Sequence, residues 1–300
     1  KAYHGMNIGA TSVGGMINNV KAFSSVLMPG VLHMRHTNLP EHKFVQGQPE
    51  TGAELAEDLE RFATNFWGEN IAACIVEPIS GSTGTLVPPK GYLDRLRKIC
   101  DKHDILLIFD EVITGWGRTG SSFAAKEYGV TPDIMTMAKA TTNGIVPMGV
   151  VAVKEEIYDT IVNASPDGVI ELFHGYTYSG IPVAVAAALA VQDIFEKEDI
   201  FNRAKNLSSY FLDGLFSLKD IDCIENIRGY GLMGGIDIKK TDRPGKAGFQ
   251  TYKKCYENGV NFKATGDCLI IAPPFISEKK HIDEIIEKLR TGITSYSKSL

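Results

Sequence analysis

The sequence predicts an α/β fold: a mostly parallel sheet in a larger domain over residues 1–196, then a smaller α+β domain over residues 197–300. Three observations carry this reading. Apolar runs at residues 71–76, 105–109 and 134–137 have the length of buried strands. Each ends in charge: Glu77 after the first, Asp110 and Glu111 after the second, and Lys139 just past the third. Between the first two runs, residues 91–104 place Leu93, Leu96, Ile99 and Cys100 on one side of a helix, so strand, helix and strand make a βαβ unit with parallel strands.

Along the chain, Tyr3-His4-Gly5 comes first as a short aromatic-polar motif. Residues 9–52 are rich in Gly, Asn, Pro and His and read as surface loops. His33, His36 and His42 lie there without acidic or cysteine partners at ligand spacing, so no metal site is expected. Residues 52–67 set Leu55, Leu59, Phe62 and Phe66 at helical spacing against an acidic face. Trp116 and Arg118 follow Asp110 in a loop, where they suit either a substrate entrance or local packing and pairing. Thr177, Tyr178 and Ser179 precede a helix of small residues, where they suit either an anion site or a helix cap. Beyond Phe195 the text is helical, then gives two short segments at 229–238 and 269–272 and a closing helix near 278–296.

Composition narrows the class of function. With 44% apolar and 22% charged residues the chain has material for a sizeable core, and its net charge of −5 leaves no basic footprint for nucleic acid or an anionic membrane. The five cysteines are widely spaced with no C-x-x-C pair, which predicts neither a disulfide framework nor zinc and favours a reducing, cytoplasmic setting. Small-molecule chemistry is the expectation.

An acid and an amine delivered to one sheet edge suggest pyridoxal phosphate chemistry. That cofactor needs a lysine amine to condense with its aldehyde and a carboxylate to keep its ring nitrogen protonated. Asp110 and Lys139 suit those roles, and they equally suit an ordinary strand-end ion pair.

The strings FDEVITGWGRTG, PDIMTMAKATTNG, PMGVV and LFHGYTYSGIPVAVAAALA resemble the class III (ω-) aminotransferases. Upstream, KAYHG, NLPEHKF, IAACIVEPISGSTGTLVPPKGYL and LRKICDKHDILLIFDEVIT are most similar to the β-alanine:pyruvate branch of that family. The resemblance implies the fold type I architecture, with helices on both faces of the sheet and pyridoxal 5′-phosphate as cofactor. It also implies a homodimer with shared active sites. It makes Lys139 the cofactor lysine and proton carrier and Asp110 the partner of the ring nitrogen. Tyr3 and Val112 would face the ring from its two sides, His4 would stand behind them, and Glu77 would help fix Asp110 and the cofactor. Thr177 would reach the phosphate held by the neighbouring subunit. Relatives carry a phosphate-binding turn ahead of the Tyr-His-Gly motif; none occurs here, so a piece of a longer protein is expected.

The resemblance also bears on the substrate. Relatives using 2-oxoglutarate have an arginine where this chain has Ile270, which implies a small acceptor such as pyruvate. Pyruvate-using relatives have an arginine where this chain has Lys263, which keeps the charge and loses the planar fork. The implied reaction is ping-pong transfer of an amino group from an ω-amino acid or amine to pyruvate, with Lys263 and Trp116 as substrate contacts. Aminomutases and lyases share the scaffold, and a catalytically silent dimeric binding module is the alternative of another class.

Overall fold

The computed structural model describes residues 1–175 and 177–300. Two short helices, α1 (Ile8–Val13) and α2 (Ile17–Ala22), interrupt the stretch expected to be loop. At six residues each they are too short for an apolar period to register, and α1 is instead set by Asn7, whose side chain accepts from the Ala10 amide at 2.7 Å. The helix expected over 52–67 is a 3-10 turn, Ala53–Ala56, running into α3 (Glu57–Phe66). Leu55 and Leu59 are buried as their spacing demands, whereas Phe66 is exposed because the helix ends there at Trp67, with φ 59°.

Strand β1 (Ala73–Val76), helix α4 (Tyr92–His103) and strand β2 (Leu106–Asp110) form the expected unit, with β1 parallel to β2. Leu93, Leu96, Ile99 and Cys100 of α4 are buried against Leu107 and Phe109. After the short α5 (Ala124–Tyr128), β3 (Ile134–Met137) joins β2 in parallel, opposing Asp110 to Thr136. Asp133 locks this register: its carboxylate accepts the Leu107 amide at 2.7 Å and lies 2.7 Å from both Arg97 and Lys154. The sheet is completed by β4 (Val150–Val153), antiparallel to β3. This edge strand was not expected, and its side chains are largely exposed, so it lacks the buried signature of its neighbours. Helices α6 (Glu155–Asn163) and α7 (Pro182–Lys197) follow.

The second sheet is entirely antiparallel, in the order β5-β6-β8-β7, from β5 (Ile224–Tyr230), β6 (Met233–Ile238), β7 (Lys263–Thr265) and β8 (Cys268–Ile271). Helices α8 (Ile200–Phe216), α9 (Lys246–Glu257) and α10 (Lys279–Ser297) enclose it. What the sequence suggests as one short segment at 229–238 is a hairpin. It turns at Gly231, φ 58°, where an added Cβ would stand 2.2 Å from the Arg118 carbonyl oxygen. Only glycine lets the hairpin come this close to the loop after β2. Phe211, Leu215, Ile227, Leu232, Ile236 and Leu289 are fully buried between the helices and this sheet. The five cysteines are free and buried. Among the described residues no helix is long and apolar enough to cross a membrane, and no cluster of potential metal ligands occurs.

Candidate active site

The C-terminal ends of β1, β2 and β3 converge on one place, as strand ends in an open parallel sheet do. Glu77 is the first residue past β1, and Asp110 closes β2. Both are buried, at 8% and 6% exposed. Lys139 begins a 3-10 turn two residues past β3.

Asp110 is oriented at both oxygens. The Val112 amide donates to Oδ1 at 3.0 Å, and His4 Nδ1 donates to Oδ2 at 2.7 Å. The other His4 nitrogen, Nε2, is buried with no partner among the described residues. Glu77 accepts the Tyr3 amide at 2.9 Å and the Gly81 amide at 3.0 Å, which ties the N-terminal motif to the end of β1. Burial pushes the Glu77 carboxyl up to about 7, with nearby Asp110 adding to the rise and the two amides and His4 opposing it.

Lys139 opens into a cavity of about 890 Å³. Desolvation by the cavity walls lowers its amine pKa, Lys263 lowers it further, and Asp110 and Glu77 oppose the change. Its backbone lies at φ 49°, in the left-handed region that a lysine avoids, at a cost of order 1–3 kcal/mol. Val112, Lys263 and Ile270 share the same cavity. Lys263 and Ile270 face each other across β7 and β8, so the cation and the aliphatic residue form one element of the wall.

One expected substrate contact stands elsewhere. Trp116 is absent from the cavity wall. Its indole N–H donates to Thr141 Oγ1 at 3.0 Å, and its ring lies 5.2 Å from Phe123 and 6.1 Å from Phe195, so the side chain is committed to the interior. Tyr3 is half-buried and joined to the end of β1 through its amide. Thr177 is exposed in the turn before α7. Ile181 occupies the N-cap of α7 with no side-chain bond, so neither Thr177 nor Ser179 caps that helix.

Two contributors carry weak sequence signals. Glu111, fully buried beside Asp110, accepts the Thr114 hydroxyl at 2.6 Å and the Ala124 and Ala125 amides at 2.9 and 2.7 Å, so it templates the loop after β2. A second acid directly after a strand end was its only signal. Arg118 lines the cavity, donates to the Pro273 carbonyl at 2.6 Å and lies 4.4 Å from the Phe275 ring centre. Desolvation lowers its pKa to about 10. It joins the loop after β2 to the segment after β8.

Residues 1–293 match the family model described as aminotransferase class-III. The chain is 49% identical over 292 residues to an omega-aminotransferase of Caulobacter vibrioides, covering 97% of this chain and 66% of the relative. It is 44% identical to a beta-alanine--pyruvate aminotransferase of Pseudomonas aeruginosa, covering 96% of this chain and 64% of that protein. A solved structure described as a transaminase with L-ala superposes with TM-score 0.92 at 31% identity, over 99% of this chain and 72% of the other. The omega transaminase of Pseudomonas jessenii in complex with PMP superposes with TM-score 0.90 at 29% identity, over 99% of this chain and 67% of the other. The chain thus spans just under two thirds of the length of the curated relatives it matches.

Proposed function

The chain belongs to the class-III aminotransferases, and from that membership we propose that the whole protein moves an amino group from an ω-amino acid or related amine to pyruvate. One observation carries the reading: a buried acid at each of two strand ends, Glu77 and Asp110, acts on the amine of Lys139, which opens into a cavity shared with Lys263.

Pyridoxal 5′-phosphate, the family's cofactor, supplies when bound an electron sink that lets a proton leave the carbon bearing the amino group. The donor set fits this group. Lys139 would hold it, Asp110 would stand at its ring nitrogen with Glu77 behind, and Tyr3 and Val112 would flank its ring. Thr177, exposed on its own subunit, would serve the phosphate of the neighbouring one. The lowered pKa of the Lys139 amine suits it to take a proton at Nζ from the substrate carbon and to return it. Lys263 would bind the substrate carboxylate as a point charge rather than through a fork. Ile270 opposite it offers nothing to a second carboxylate, which favours pyruvate over a dicarboxylic oxo acid. The exposed apolar residues Leu172, Phe173, Tyr178 and Leu189 around Thr177 support a homodimer with shared sites, and a cytoplasmic location agrees with five unpaired cysteines.

The test is the absorbance of the purified protein with pyridoxal 5′-phosphate. A long-wavelength band should form, bleach with β-alanine and return with pyruvate as alanine accumulates. A band that ignores β-alanine overturns the donor, and loss of the amine without formation of alanine overturns transamination in favour of an aminomutase or lyase. Lys139→Ala should lose the band and at least about 10³-fold in turnover; an unchanged band in that variant removes Lys139 from its role.

A further inference from the structure

Lys139 sits in a backbone conformation that must be imposed from outside, because a left-handed lysine persists only where its surroundings over-determine it. The residue before it, Ala138, is extended, and Lys139 to Thr141 make a single 3-10 turn. One side chain closes that turn. Thr141 Oγ1 donates back to the Ala138 carbonyl at 3.0 Å, alongside the Thr141 amide at 3.1 Å on the same oxygen. The hydroxyl therefore has its donor occupied and presents a lone pair, which accepts the Trp116 indole N–H at 3.0 Å. Thr141 is 3% exposed, so water is no ready substitute for either bond.

Trp116 is itself fixed. Its amide donates to the Ser122 carbonyl at 2.6 Å, its backbone is left-handed at φ 62°, and its ring is held against Phe123 and Phe195. Two strained residues on different loops, one following the acid of β2 and one following β3, are thus joined by a directed chain running indole to hydroxyl to carbonyl.

We propose that Trp116 and Thr141 are positioning residues for Lys139: the indole N–H and the threonine hydroxyl hold the turn that aims the lysine amine into the cavity. The proposal rests on the reading of Lys139 as the cofactor lysine, and it makes Trp116 a brace rather than a substrate contact. Ring packing alone would need the aromatic surface and not the N–H. Trp116→Phe separates the two, since it keeps an aromatic ring between Phe123 and Phe195 and removes the donor.

The experiment compares the wild-type protein with Trp116→Phe, Thr141→Val, their double variant and Thr141→Ser. In cofactor-free protein, hydrogen exchange is followed at the Thr141 and Asn143 amides, which bond within this turn. Loss of one buried hydrogen bond should speed exchange there about fivefold in Trp116→Phe, and loss of both hydroxyl bonds should speed it further in Thr141→Val, with the double variant no faster than Thr141→Val and with β5 and β6 unaffected. Thr141→Ser, which keeps the hydroxyl, should restore slow exchange. In loaded protein, kcat should fall about fivefold in Trp116→Phe while KM for pyruvate holds. Wild-type exchange and kcat in Trp116→Phe would overturn the brace, as would a raised KM at unchanged kcat, the mark of a substrate contact. Should Thr141→Val fail to fold, Trp116→Phe decides alone. A Lys139→Ala protein that keeps its band would refute the reading of the site, whereas exchange in cofactor-free protein judges the brace independently.

Discussion

The two sheets differ in how completely the chain covers them. The antiparallel sheet is enclosed by α8, α9 and α10, and Phe211, Leu215, Ile227 and Ile236 have no measurable exposure. The mostly parallel sheet ends in β4, where Val151 and Val153 are 65% and 43% exposed, and the following segment exposes Phe173, Tyr178 and Leu189. Its strand ends also carry the buried acids and the strained lysine. One half of the molecule is built for its own stability. The other carries unfavourable charge and open apolar surface, which a bound cofactor and the proposed second subunit would offset.

The sharpest way to break this contrast is in the enclosed half. Phe211→Ala removes a fully buried ring from the antiparallel core and should cost about 3–5 kcal/mol, read from denaturant unfolding. A loss under about 1 kcal/mol would show that this half is not self-supporting.

The buried acid of the other half should show itself through pH. The folded-state pKa of Glu77 is raised from 4.5 to about 7. Below the unfolded value both states bind the proton, and the native state keeps its full stability. Between the two values the unfolded chain releases the proton and the folded chain does not want to, so stability falls as pH rises toward about 7 and then levels. Glu77→Gln should flatten that slope in cofactor-free protein, a difference on the order of 2–3 kcal/mol near neutrality. A slope unchanged by the substitution would place the cost elsewhere.

A smaller effect tests the open surface. Leu189, 58% exposed on α7, should tolerate Asp without loss of fold, while sedimentation shows dimer dissociation strengthened about tenfold. An unchanged association would separate this helix from the proposed interface.

Much of the fold was legible because its signals are local. The runs ending at Glu77, Asp110 and Lys139 have strand length and strand composition, and α4 repeats its apolar residues every three or four positions. Other elements lacked such signals. Strand β4 is exposed, α1 and α2 are six residues long, and the hairpin of β5 and β6 turns at Gly231, whose reason is the approach of Arg118. Trp116 shows the limit most plainly. Its place after Asp110 suggested a substrate contact, yet its indole is directed by Thr141, Phe123 and Phe195.

By itself the sequence determined the strand ends, the residue types delivered to them and the family, since each depends on short-range pattern and motif. Tertiary structure alone decided which groups became buried, which way each side chain turned and where the backbone is strained. The pKa values of Glu77 and Lys139 and the partner of Trp116 depend on neighbours brought from distant parts of the chain. Desolvation and hydrogen-bond direction come into being only when those neighbours meet.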